Sequence, residues 1–190
     1  NMPTFTQNWF EITARANFER FLSEFKGKDG LKFLEIGCFE GMASRWLLEN
    51  ILTGGSGLTV IDTFEGSVEH QAAGIDIGGR KRFEENIEEY KDKVKIYEGM
   101  SQDILKKRPA NSFNFIYVDG DHRAAGALQD IVLSWPLLKK GGIMILDDYA
   151  WNGFSDHLNA CIAMDAFLNC FVGQYELLLK EYQIVVRKIV

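Results

Sequence analysis

Short apolar runs that stop in turn residues alternate along the chain with longer stretches whose apolar positions recur every three or four residues. The runs are LKFLEIG at 31–37, GLTVID at 57–62, KVKIYEG at 93–99, FNFIYVDG at 113–120 and GGIMILDD at 141–148. Each is rich in β-branched or aromatic residues and reads as a strand. Between them EGMASRWLLENIL, RKRFEENIEEYK and AAGALQDIVLSWPLL have the spacing and length of helices. Strand–helix–strand repetition means right-handed crossovers and a mainly parallel sheet covered on both faces. The strands are apolar at successive rather than alternate residues, as strands buried on both sides must be.

Two further segments complete the pattern. Phe10, Ala14, Phe18, Phe21 and Phe25 share one helical face. We read it as packing on the sheet, with a lid or a homodimer contact as the alternative. DHLNACIAMDAFLNCF is helical, and QYELLLKEYQIVVRKIV reads as two strands joined by a tight turn near Lys180 and Glu181. A hairpin is not a parallel crossover, so the sheet ends antiparallel. The expectation is a single-domain, doubly wound α/β fold with a mostly parallel seven-stranded sheet and an antiparallel C-terminal hairpin strand. Residues 1–27 form an N-terminal helical segment and 28–190 the domain itself. The segment EGSVEHQAAGIDIGG at 65–79 is the longest irregular stretch and a candidate lid.

In open parallel sheets ligands bind at the carboxyl ends of the strands, and each polar cluster of this chain falls at such an end. The first is EIGCFEG, Glu35 to Gly41. Its glycines permit a sharp turn and close approach to a ligand, and the following helix start offers free N–H groups. It is not the dinucleotide fingerprint, because Phe39 stands in the second glycine's place. Asp62 ends the second strand, placed to accept both hydroxyls of a ribose. In EGMSQD, Ser101 and Gln102 could meet an adenine edge and Met100 its face, while Ser101 could equally cap a helix. Strands four and five should be neighbours, which brings Asp119, Asp147 and Asp148 to one place. Carboxylates so grouped repel unless something positive sits among them, and an all-oxygen set suits a hard cation such as Mg2+. The plainer alternative is one helix cap and one surface ion pair. Tyr149, Trp151 and His157 follow and could line an acceptor pocket or belong to the core.

Composition narrows the function classes. No apolar run reaches membrane-spanning length and no signal-peptide layout opens the chain, so a cytoplasmic protein without a membrane partner is expected. A net charge of −6 with scattered basic residues argues against nucleic acid, and KKR at 106–108 reads as a solvated helix end. Cys38, Cys161 and Cys170 lack metal-ligand spacing and read as reduced thiols.

The ordered set FLEIGCFEG, VIDTF, EGMSQDIL, FIYVDGDH and GGIMILDDY resembles the class I S-adenosylmethionine-dependent methyltransferases over nearly the whole chain. Within them it is most similar to the branch with macrocin-type sugar O-methyltransferases, and SQDIL and the acids also look like catechol O-methyltransferase. The resemblance implies that Glu35, Gly37 and the backbone of Cys38, Phe39, Glu40 and Gly41 hold the methionine part of S-adenosylmethionine. It implies that Asp62 takes the ribose, with Thr63 and Phe64 beside the adenine and Met100, Ser101 and Gln102 on its other side. Asp119, which also borders the cofactor, matches a Mg2+ ligand together with Asp147 and Asp148. Catechol methyltransferases carry Asn where this chain has Asp148. The macrocin-like pattern makes Asp121 the catalytic base; the catechol pattern puts its lysine base at His122. Histidine titrates near neutrality unaided, but Asp121 lies closer to the expected ligands and is preferred. The implied activity is O-methylation of a small-molecule or sugar hydroxyl. The alternatives are a metal-independent methyltransferase on an amine, a nicotinamide oxidoreductase, disfavoured by the missing glycine, and a nucleotide-binding protein that transfers no methyl group.

Overall fold

The computed structural model of the protein describes residues 2–155 and 158–190, so His157 lies outside the described residues. Seven strands form one sheet: β1 Lys32–Ile36, β2 Gly57–Asp62, β3 Val94–Glu98, β4 Phe113–Val118, β5 Leu138–Leu146, β6 Tyr175–Lys180 and β7 Ile184–Lys188. Their order is β3-β2-β1-β4-β5-β7-β6. β1 to β5 pair in parallel, and β7 is antiparallel to both β5 and β6. The antiparallel hairpin therefore inserts its second strand beside β5 and leaves its first at the sheet edge.

Seven helices cover the sheet among the described residues: α1 Arg15–Phe21, α2 Met42–Asn50, α3 Val68–Ala72, α4 Gly79–Asn86, α5 Ser101–Leu105, α6 Ala124–Ser134 and α7 Ala160–Cys170. The alternation of side chains along each strand sorts the core into two layers. Phe115 and Tyr117 of β4 face the layer holding α1, α2 and Phe83 of α4. Ile116 and Val118 face the layer of α5, α6 and α7. The residues that read as unbroken apolar runs are thus divided between the two faces.

The N-terminal aromatic face is spent on the sheet. Phe18 is fully buried and meets Phe10, Trp46, Phe115 and Tyr117 edge to face at 4.9–5.8 Å. Truncating such a side chain to Ala costs about 3–5 kcal/mol.

Departures from the pattern have local causes. The helix over AAGALQDIVLSWPLL gives way at Trp135–Leu137 to a tighter 3-10 turn at Pro136, which has no N–H to donate. RKRFEENIEEYK likewise splits into α4 and a 3-10 turn at Glu88–Lys93. β5 starts at Leu138 rather than Gly141, with a register shift against β4 between Phe113 and Phe115. The 65–79 segment is not wholly irregular, since it contains α3. Among the described residues no helix is long and apolar enough to cross a membrane.

β1 runs to β2 and β3 on one side, while the chain crosses back to lay β4 on the other. The crevice between the ends of β1 and β4 is the switch point at which such sheets accept ligands.

Candidate cofactor and acceptor cavity

A cavity of about 580 Å³ opens at this point, lined by the turn after β1, the ends of β2, β4 and β5, the start of α5 and the N-terminal segment near Trp9. A second concavity of about 710 Å³ lies by Trp135 and Lys188, and no Asp or Glu among the described residues lines it. The chemistry is in the first.

The turn after β1 is shaped by close approach. Gly37 has φ +80°, and a Cβ there would run into the Asp119 carbonyl, so β1 and β4 can leave the sheet side by side only with glycine. Phe39 also adopts positive φ, +47°, without glycine's freedom. Its ring packs against both Trp9 at 5.4 Å and His70 at 5.1 Å, which stack on each other at 5.4 Å. This aromatic group joins the N-terminal segment to α3 at the cavity mouth.

Asp62 holds the turn from the cavity side. One oxygen accepts the Cys38 N–H at 2.7 Å and the Phe39 N–H at 3.2 Å; the other accepts the Phe64 N–H at 2.7 Å. Both lone-pair sites of Oδ2 are taken, and Oδ1 keeps one for a ligand hydroxyl. Asp62 is therefore also a structural brace, which the sequence reading did not foresee.

Glu35 is 1% exposed, and burial raises its pKa from 4.5 to about 8, partly opposed by the hydroxyl that Ser44 donates to it. Burial also pushes the Cys38 thiol well up, so it is no nucleophile. Phe64 packs against Phe83 at 5.6 Å, and Thr63, Met100 and Gln102 line the cavity beside it. Ser101 is not the helix cap: α5 is preceded by Met100, and the Ser101 hydroxyl donates to Asp130 of α6. Burial lifts the Asp130 carboxyl to about 6.

The acids at the ends of β4 and β5 do meet, in a particular way. Asp119, His122 and Asp148 can each offer one atom within 4.8 Å of the others. His122 Nε2 lies 3.0 Å from Asp148 and 3.6 Å from Asp119. Asp148, at φ +62°, also accepts the Tyr182 hydroxyl at 2.8 Å. Asp147 is outside this group: it is buried, receives the Tyr117 hydroxyl, and accepts the Asp148 N–H at 2.7 Å. Tyr117 also reaches Asp119 at 3.2 Å. Burial, then mutual repulsion, pushes Asp147 well up, and burial raises Asp119 to about 6. Asp121 is held by Arg123, which donates its backbone N–H, Nε–H and Nη2–H at 2.7–2.9 Å. His122 does not cap α6, which Arg123 precedes.

Of the expected acceptor residues, Trp151 lines the cavity against His122 at 5.3 Å, while Tyr149 turns to Asp165 at 3.2 Å. Sequence reasoning missed Tyr117, Asp130, Tyr182 and Trp9. Only Tyr117 left a signal, as the one hydroxyl within an otherwise apolar strand end.

A cavity at the switch point of an open α/β sheet, with a tight turn after β1 braced by an acid on the next strand, is where doubly wound domains take a ligand. Comparison with known proteins makes that specific. The family model described as a methyltransferase domain matches residues 34–149, more than half of the chain, and the chain belongs to that family. A relative, the protein R132 of Acanthamoeba polyphaga mimivirus, is 27% identical over 150 residues, which are 75% of this chain and 63% of that protein. The chain thus spans less than two thirds of this relative's length. The O-methyltransferase NovP superposes with a TM-score of 0.74 at 17% identity, over 94% of this chain and 81% of its own. The O-methyltransferase from Bacillus cereus in complex with SAH gives 0.61 at 17% identity, over 97% and 92%. The chain thus carries a methyltransferase domain on the fold that these O-methyltransferases share.

Proposed function

We propose that the protein transfers a methyl group from S-adenosylmethionine to a hydroxyl of a small molecule or sugar, assisted by a divalent cation. The observation that carries this reading is the Asp119–His122–Asp148 group, which opens into the same cavity as the turn after β1. The two carboxylates, Asp119 and Asp148, suit Mg2+ or Mn2+ and leave the His122 imidazole for the proton. When bound, the cofactor supplies an electrophilic methyl group and the cation lowers the pKa of a nearby hydroxyl.

The chain's own residues do the rest. Asp62 receives the ribose through Oδ1; Glu35 faces the amino-acid end. Asp119 and Asp148 carry the negative charge that would hold the cation, Asp148 being fixed by Tyr182. For the proton of the acceptor hydroxyl the geometry favours His122 Nε2 over Asp121, because both oxygens of Asp121 are engaged by Arg123. Trp9 and His70 on one side and Trp151 on the other exclude water from the acceptor half.

A second reading is metal-independent transfer to an amine. It is favoured by Asp147, which is committed to Tyr117, so that only two carboxylates face His122. Calorimetric titration with S-adenosylhomocysteine, with NAD as control and each with and without Mg2+, tests both. Binding of the homocysteine compound, with a separate Mg2+ signal lost in Asp119→Ala, supports the first reading. Binding without any Mg2+ or Mn2+ signal supports the second, and no binding of the homocysteine compound sinks both.

A further inference from the structure

Glu40 belongs to the turn after β1, yet its carboxylate is 2% exposed and joins three stretches that are distant in sequence. It accepts the Thr6 N–H and the Thr6 hydroxyl, each at 2.7 Å, and pairs with Arg82 at 2.8 Å. Arg82 goes on to Asp76 at 2.6 Å, within the 65–79 segment. The Glu40 carbonyl accepts the amide of Asn86 at 2.8 Å, and Asn86 exchanges two bonds with Thr4, at 2.7 and 3.0 Å. These ties fix the ends of two segments: residues 4–6 lead into Trp9, and Asp76 closes the stretch that carries His70. The stacked pair Trp9–His70 at the mouth of the cavity thus hangs from a single carboxylate on the turn. A buried ion pair adds little net stability over apolar packing; what it supplies is position.

We propose that Glu40 is the positioning residue of the acceptor wall, passing the state of the cofactor turn to Trp9 and His70, so that filling the cofactor half of the cavity sets the acceptor half. The same turn is gripped by Asp62 from the cavity side, through the N–H groups of Cys38 and Phe39. A ligand acting on Asp62 therefore acts on the backbone that carries Glu40, and coupling of this kind is reciprocal. The inference rests on the reading that the cavity takes S-adenosylmethionine.

Hydrogen exchange on the full chain, with and without saturating S-adenosylhomocysteine, reads the device directly, because the Thr4 and Thr6 amides bond to Asn86 and Glu40. In the wild type the ligand should slow exchange in residues 4–14 and 65–79 together, by about tenfold. In Glu40→Gln that slowing should vanish from both segments, while peptides of β1 and β4 keep wild-type protection. Arg82→Met should remove it from 65–79 and leave it in 4–14. Slowing retained in both segments of Glu40→Gln overturns the proposal. So does loss of protection in β1 and β4, which would make Glu40 a plain anchor of the fold. Failure of the wild type to bind the homocysteine compound, seen by calorimetry, overturns the cofactor reading itself and this inference with it.

Discussion

Replacing Glu35 by Gln removes a carboxyl group that folding keeps protonated. The side chain is 1% exposed, and burial moves its pKa from 4.5 to about 8. Between those values the native state holds a proton that the unfolded chain has released, so stability falls as pH rises through this window. Below it the contribution is fully present; above about 8 its loss is complete. At about 1.4 kcal/mol per pH unit, the upper limit of the loss is about 5 kcal/mol. The Gln side chain has nearly the same shape, its carbonyl still accepts from Ser44, and it does not ionise. Urea unfolding at pH 5, 7 and 8.5 should therefore find the two proteins within about 1 kcal/mol at pH 5 and the variant ahead by about 2 kcal/mol or more at pH 8.5. Asp130, raised to about 6, tilts the two profiles equally and cancels in the difference. Binding of S-adenosylhomocysteine at pH 7, with its ammonium against Glu35, should release nearly one proton from the wild type and none from the variant. Calorimetry in two buffers of different ionisation enthalpy measures that number. Parallel pH profiles for wild type and variant would refute the reasoning.

Three further expectations concern single positions. Gly37→Ala, forced against the Asp119 carbonyl at positive φ, should lose at least about 2 kcal/mol in chemical unfolding. Asp62→Ala leaves three N–H groups without their acceptor and should lower stability by about 1–3 kcal/mol; its affinity for S-adenosylhomocysteine should fall about 100-fold, the equivalent of one lost charged hydrogen bond. Wild-type stability and affinity together would remove Asp62 from both roles. In methyl transfer to a hydroxyl acceptor, His122→Asn should lower kcat by at least about 100-fold with the KM for the cofactor little changed, while Asp121→Asn retains most of its activity. The reverse ranking would return the base to Asp121.

The elements of the sheet were legible because each depends on a local pattern that tertiary packing reinforces. GLTVID at 57–62 matches β2 residue for residue, and the tight turn between β6 and β7 follows Lys180 as expected. Continuous apolar character identified β4 and β5, and the acids at their ends led to the right corner of the molecule. What sequence could not supply was orientation. Asp147 and Asp148 are adjacent, yet one turns into the core toward Tyr117 and the other toward His122, a choice made by the positive φ at Asp148 and by Tyr182 from a hairpin far along the chain. Glu40 sits within EIGCFEG, but nothing local foretells where its side chain turns, since its partners Thr6 and Arg82 lie 34 and 42 residues away. Ser101 shows the limit of local rules, since a residue well suited to cap a helix is drawn instead to the buried Asp130.

Phe39 bears on any attempt to make this protein hardier. Its left-handed backbone is a conformation glycine adopts freely, and releasing a non-glycine residue from it returns about 1 kcal/mol. Phe39→Gly would collect that gain and lose more: the two ring contacts with Trp9 and His70 are worth about 0.5–1.5 kcal/mol each, and glycine has more freedom to lose on folding. The strained turn is therefore kept by the ring it carries, and an exchange to glycine would cost the mouth of the cavity its shape without raising Tm.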